Sequence, residues 1–195
     1  MIIGITGGTG CGKTTLLEVI RQAGGLVLDC DAVYHELLKT DKDLLNAIVD
    51  RFPGTVENGV LQRKKLGAIV FADKDALEDL NKITRGIVKQ EVLRRLSPAP
   101  ALAAIDAIRL FEGGLSELCQ LTVAVTAPKE QRIARLMQRD NITREYAQAR
   151  IDAQPSCEEF ARRCDYHLEN NDTPESFREK CLAFLQEQGI MKEKP

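Results

Sequence analysis

Apolar and polar positions follow two different rhythms along this chain. Ile2 to Thr6 is a short apolar run that stops at a glycine cluster, the pattern of a buried strand. From Lys13 to Gln22 the apolar residues Leu16, Leu17, Val19 and Ile20 fall on one helical stripe, closed by Gly24-Gly25. Leu26-Val27-Leu28 is a second apolar run, and Asp29-Cys30-Asp31 stands at its end. Strand, helix and strand in this order make a βαβ unit, whose crossover connection sets the two strands parallel.

The rhythm then becomes helical. Val33, Leu37, Leu38, Leu44, Leu45, Ile48 and Val49 predict amphipathic helix, and so do Leu66 to Val70 and the apolar positions from Leu77 to Leu93. Phe52-Pro53-Gly54 and Asn58-Gly59 read as turns, and Pro98-Ala99-Pro100 ends the block. Beyond it, Ala101 to Phe111 and Leu121 to Val125 predict two further buried strands. Helices are expected from about Pro128 to Arg139, with proline in the first turn, and from about Thr143 to Gln154. Asp165 to Leu168 reads as an edge strand, and Pro174 to Gln188 as the last helix. The predicted architecture is an α/β core with one helical insertion after the second strand and a second helical excursion near 130–160.

Composition narrows the function. The 195 residues suit one domain with sizeable insertions, and 27 Lys+Arg against 29 Asp+Glu leave a formal charge of only −2. That balance provides no global field for nucleic acid or an anionic membrane, and neither is an expected partner. The longest apolar run, Leu102 to Phe111, is interrupted by Asp106 and Arg109, so no membrane span is predicted. There is no basic leader at Met1-Ile2-Ile3-Gly4. Cysteines at 11, 30, 119, 157, 164 and 181 form no Cys-x-x-Cys pair, and His35 and His167 are the two histidines. The expectation is a cytoplasmic protein with reduced thiols and no structural zinc.

The chemistry begins at Gly7-Gly8-Thr9-Gly10-Cys11-Gly12-Lys13-Thr14, which fits G-x-x-x-x-G-K-[ST] at every fixed position between a predicted strand and a predicted helix. Glycines let successive N–H groups wrap a polyphosphate, and the following helix adds the positive end of its dipole. In such a loop Lys13 reaches the β- and γ-phosphates of ATP and the Thr14 hydroxyl ligates Mg²⁺. A guanine reader is missing, since Asn81-Lys82-Ile83-Thr84 lacks its aspartate, and the Leu-Ser-Gly-Gly-Gln of transporter ATPases is absent. A small-molecule kinase is left, with a nucleotide-dependent switch as the reading from another class.

Two further groups of residues bear on that choice. Asp29 and Asp31 lie at the end of the second strand, where open α/β sheets place their ligands. Asp31 suits either of two roles that are not exclusive: base toward an attacking hydroxyl, or N-cap of a helix starting at Ala32. Arg132, Arg135 and Arg139 share one face of a predicted helix, with Arg144 beyond. They form either a solvated face neutralised by Glu130 and Asp140 or a lid that brings arginine to a transferring phosphoryl group.

Over nearly its whole length the chain resembles the dephospho-CoA kinase family. The similarity runs through Gly4 to Thr15, Leu28-Asp29-Cys30-Asp31, Leu61-Gln62-Arg63-Lys64-Lys65-Leu66 before Ile69-Val70-Phe71, Leu110-Phe111-Glu112, Gln131-Arg132 to Arg139-Asp140 with Arg150 and Gln154, and Leu168-Glu169-Asn170-Asn171. The resemblance implies a phosphate-loop, three-layer α/β/α parallel-sheet kinase that phosphorylates the ribose 3′-hydroxyl of dephospho-CoA with ATP and Mg²⁺. It assigns the nucleotide to Gly7 through Thr15, Arg135 and Asn170. The catalytic set is Asp31, Lys13 and Arg139, and the acceptor falls to Asp31, Arg63, Leu110 and Glu112. The expected division is a core of 1–31, 101–127 and 162–195, a helical acceptor-binding region of 32–100 and a lid of 128–161, in a monomer or weak homo-oligomer. The chain departs from the family's usual His-Pro at Arg85-Gly86 and from its Pro-Leu at Ile108-Arg109, where an arginine is hard to bury unless paired. A kinase for another small acceptor is the alternative within enzymes.

Overall fold

A computed structural model of the chain describes residues 1–57 and 59–191. Asn58, half of the expected Asn58-Gly59 turn, and the Phe71 side chain lie outside the described residues. The chain divides into two compact units, Met1–Leu28 with the chain from Ala99 onward, and Asp29–Pro98.

The first unit is built on a five-stranded sheet. Its strands are β1 (Ile2–Thr6), β2 (Leu26–Asp29), β5 (Ala103–Asp106), β6 (Leu121–Thr126) and β7 (Tyr166–Glu169), in the order β2-β5-β1-β6-β7. β1 lies at the centre, parallel to β5 and β6, with Ile3 opposite Ala104 on one side and Leu121 on the other. A strand paired on both edges and covered on both faces needs apolar residues at nearly every position, and Ile3 to Thr6 are all buried. Helix α1 (Lys13–Gln22) presents Leu16, Leu17, Val19 and Ile20 to this sheet. The last helix, α9 (Pro174–Glu187), adds Phe177, Cys181, Phe184 and Leu185 to the same core. Thr173 caps α9 at the Ser176 N–H, and Pro174 takes the first turn, where it lacks no needed donor. Helices α6 (Lys129–Asp140) and α7 (Arg144–Asp152) pair through Ile133, Leu136, Ala147 and Ile151.

Three expectations are corrected here. The apolar run from Ala101 to Phe111 is strand only over Ala103–Asp106; the chain then turns, and Leu110 packs fully buried beneath Gly4. Its apolar residues fill the core from a turn, a role that composition does not separate from strand. Arg109 on that turn is exposed, so the question of its burial does not arise. A helix α8 (Cys157–Arg163), capped by Ser156, precedes β7 and was not expected, since Phe160 is its one buried residue and sets no period.

The second unit is helical as predicted. It comprises α2 (Cys30–Thr40), α3 (Lys42–Arg51), α4 (Arg63–Ala72) and α5 (Lys74–Leu96), packed around Val33, Leu37, Leu44, Ile48, Phe52 and Leu66. It also holds a hairpin of β3 (Val56–Glu57) and β4 (Val60–Leu61), each too short to leave an alternating pattern.

Candidate active site

β1 ends at Thr6 and α1 begins at Lys13, so residues 7–12 form the loop between a central strand and a helix. Gly12 enters α1 in the left-handed region, with φ 92°, and a Cβ there would sit 2.2 Å from Asn170 Nδ2. Only glycine meets both demands. It also caps α1 without a side chain, leaving the first-turn N–H groups to an anion.

Every carbonyl from Gly7 to Gly12 is engaged. Gly7 O accepts from Lys13 Nζ at 3.0 Å, and Gly8 O from the Cys11 N–H at 3.3 Å. Thr9 O accepts from Arg132 Nε at 2.9 Å, Gly10 O from Arg135 Nη1 at 3.2 Å and Cys11 O from Asn170 Nδ2 at 2.9 Å. Gly12 O accepts from the Thr15 N–H at 3.1 Å. A loop whose oxygens are bound by its surroundings offers an anion mainly its N–H groups, which is the polarity a polyphosphate requires.

The predicted residues fall into distinct places. Lys13 Nζ lies 3.8 Å from Asp106 Oδ1 at the end of β5. Thr14, in the first turn of α1, is exposed. Cys11 is buried; burial raises its pKa, and the nearby charges of Arg132 and Lys13 offset part of that. Asn170 is buried too, and its Oδ1 accepts from Arg135 Nη2 at 3.2 Å, so these two residues hold the loop and each other.

The arginine stripe does not act as one face. Arg132 is only 3% exposed and lies against the loop, which excludes a solvated position for it. Arg135 is half-buried against Gly10. Arg139 alone of the three is exposed, paired with Asp140, which Arg150 Nη1 also reaches at 2.5 Å. The Arg139 hydrogen bond, then that from Arg150, holds the Asp140 carboxyl well below the ordinary carboxylate range.

Glu112 pairs with Arg163, whose guanidinium also lies 4.4 Å above the Phe111 ring. Burial is the largest influence and works against its ionisation, but the Arg163 hydrogen bond, a backbone N–H and the charges of Arg163 and Arg109 together lower its pKa. Leu110, expected among acceptor contacts, is wholly buried and packs the core.

In the second unit the helix cap is Asp29, not Asp31. Asp29 Oδ1 accepts from the Asp31 and Ala32 N–H groups at 2.9 and 3.0 Å. Asp31 is one residue into α2, exposed and with its carboxylate released from capping. His35 follows one turn later on the same face, and Arg63 Nη2 comes within 3.3 Å of His35 Nδ1. Asp31 and Arg63, both expected among the acceptor contacts, belong to one surface of this unit.

Sequence reasoning passed over Asp106, read only as a break in an apolar run. Its signal was available: a carboxylate at the carboxyl end of a strand beside the loop strand. Among the described residues no three His, Cys, Asp or Glu side chains cluster as a metal site. Mg²⁺ suits that setting, since it binds through one or two protein ligands together with substrate phosphates. The residues that fit it are Thr14 and Asp106.

A phosphate loop with this polarity, on a parallel sheet of this order, defines the class as a phosphate-loop α/β protein. The profile of the dephospho-CoA kinase family matches residues 1–175. The dephospho-CoA kinase of Listeria innocua is 35% identical over 190 residues, which cover 94% of this chain and 95% of that protein. Among solved structures, TT1252 from Thermus thermophilus is 34% identical with a TM-score of 0.81, covering 96% of this chain and 97% of that one. The dephospho-CoA kinase from Campylobacter jejuni is 28% identical with a TM-score of 0.68, covering 97% and 98%. Shikimate kinase from Acinetobacter baumannii, at 20% identity and a TM-score of 0.54 over 99% and 95%, shares the fold. The chain belongs to the dephospho-CoA kinase family and is an ATP-dependent kinase. No helix among the described residues is long and apolar enough to cross a membrane.

Proposed function

We propose that this chain transfers the γ-phosphoryl group of ATP to the ribose 3′-hydroxyl of dephospho-CoA, completing coenzyme A. The observation that carries the nucleotide half is the engagement of every loop carbonyl from Gly7 to Gly12, which leaves the loop's N–H groups other than those of Thr9 and Cys11 for the phosphates. Lys13, beside the loop, offsets charge that grows on the transferring group. Thr14 and Asp106 would hold Mg²⁺, which when bound would neutralise phosphate charge. Arg135 and Asn170 border the nucleotide while holding the loop.

Asp31 takes the proton of the 3′-hydroxyl as that oxygen bonds to the γ-phosphorus. The bond from phosphorus to the β,γ-bridging oxygen breaks, and ADP leaves with the electron pair. Arg63 meets the negative charge of the acceptor's pyrophosphate, with His35 beside it. Arg139 serves the closed lid, where an added cation stabilises the transition state and water is excluded.

The test is a phosphotransfer assay of the purified chain with ATP, Mg²⁺ and dephospho-CoA, with nucleoside monophosphates and shikimate as competing acceptors. Coenzyme A and ADP should appear in equal amounts, and ATP should be consumed slowly without acceptor. Turnover of another acceptor only, or acceptor-independent hydrolysis at the same rate, overturns the reading.

A further inference from the structure

Thr9 lies mid-loop, and both of its main-chain groups are bound by residues far away in the sequence. Its carbonyl accepts from Arg132 Nε at 2.9 Å. Its N–H donates to Gln154 Oε1 at 2.8 Å. The same Gln154 oxygen accepts from Arg132 Nη2 at 3.4 Å, closing a ring around one residue of the loop. Arg132 is 3% exposed, an extreme position for a guanidinium, and such burial is tolerated only where hydrogen bonds replace water.

The loop's composition is fitted to this contact. The phosphate-loop pattern leaves the second and fourth positions open, yet this chain has glycine at both. A Cβ on Gly8 would lie 2.2 Å from Arg132 Nη2 and 3.0 Å from Gln154 Oε1. A Cβ on Gly10, whose φ is +78°, would lie 3.0 Å from the Arg132 carbonyl oxygen. Both glycines are therefore explained by Arg132 and not by phosphate binding alone.

We infer that Arg132 and Gln154 are positioning residues that set the phosphate loop's shape from behind. Gln154 stands just past Ala153, the C-cap of α7, and α7 packs on α6 through Ile133, Leu136, Ala147 and Ile151. The amide oxygen thus ties the loop's Thr9 to the helix pair that also bears Arg139. Displacing α7 against α6 withdraws an acceptor from the Thr9 N–H and from Arg132 together, so the loop holds its anion-binding form only while that pair is seated. This rests on the nucleotide reading given above, and neither residue need touch ATP.

The test compares Gln154→Leu, which keeps the bulk and removes the acceptor, with Gln154→Glu, which keeps an acceptor oxygen, and with Arg132→Lys, which keeps the charge but loses the fork. Steady-state kinetics with MgATP and dephospho-CoA are read beside calorimetric binding of magnesium tripolyphosphate, a probe with no nucleoside. Gln154→Leu and Arg132→Lys should raise the KM for ATP and weaken tripolyphosphate binding by about fivefold to tenfold each. The KM for dephospho-CoA should stay within about twofold, and Gln154→Glu should lie within about threefold of wild type. Unchanged tripolyphosphate binding in Gln154→Leu, or a fall in kcat alone as from a smaller folded fraction, overturns the clamp. Wild-type protein that binds neither MgATP nor tripolyphosphate overturns the nucleotide reading itself and the clamp with it.

Discussion

The phosphate loop and the Asp31 surface are made in opposite ways. The loop draws its shape from Lys13, Arg132, Arg135, Gln154 and Asn170, and most of these are buried or half-buried in the first unit. Asp31 and Arg63 stand exposed on the helices of the second unit, and the cap that fixes the start of α2 belongs to a different residue, Asp29. At the loop the surroundings fix the backbone; at Asp31, the proposed base, a side chain is left free of capping. Substitutions should accordingly disturb geometry in the first region and chemistry alone in the second.

The largest expected effect comes from Lys13→Ala. On the proposed reading it removes the loop's own cation from the transferring group and should lower turnover by about a thousandfold or more, with an unchanged melting temperature checked in parallel. A folded Lys13→Ala protein with near-normal turnover would break the ATP-site reading.

Asp31→Asn comes next and sharpens the contrast most. Turnover should fall by at least ~100-fold while ATP binding and melting temperature stay as in wild type, because the cap is untouched. Asp29→Ala should show the reverse emphasis, costing about 1 kcal/mol in denaturant unfolding because the cap is lost. An Asp31→Asn variant retaining more than about a tenth of the activity would place the base elsewhere.

Arg139→Ala should lower the rate by about tenfold or more and change unfolding free energy by less than about 0.5 kcal/mol, as suits an exposed side chain with the proposed role in a closed lid. A sharp loss of stability with an unchanged rate per folded molecule would make Arg139 structural, like Arg132.

The smallest effect is set by pH. The Asp140 carboxyl, held down first by Arg139 and then by Arg150, has a lower pKa folded than unfolded. Its stabilisation is therefore present above the unfolded value near 4 and is lost as pH falls toward the folded one. Asp140→Asn should melt slightly below wild type at neutral pH, and the gap should shrink below about pH 4. A gap that stays constant down to pH 3 would exclude the ion pairs as its source.

Local signals in the sequence located much of this. The glycine loop, the strands Ile2–Thr6 and Leu121–Thr126 and the helices on either side each announce themselves within about ten residues, by period or by punctuation. What escaped depends on partners distant in sequence. Helical spacing put Arg132 on a stripe with Arg139, but its burial is decided by a carbonyl 123 residues away. Asp31 was read as the cap because the pattern allows a helix start at Ala32, and the start of α2 at Cys30 gives that role to Asp29. Leu110 looked like strand because a buried turn and a buried strand draw on the same residues.

The placement of the second unit between β2 and β5 also governs how the chain can fold. The β1–β5 pair at the heart of the sheet joins residues about a hundred apart, as the bond from the Met1 amino group to Ala101 O shows at 2.7 Å. Closing so long a loop is entropically unfavourable, and the penalty grows only with the logarithm of the length of flexible chain enclosed. Most of the enclosed chain, residues 29–98, is one contiguous helical unit, and helices themselves form fast from local hydrogen bonds. Once those helices have formed, much of the intervening chain is no longer flexible, and its two ends act as a short tether between β2 and β5. Early helix formation in 29–98 would thus set the pace of β-sheet assembly in a part of the chain that shares none of its strands beyond the end of β2.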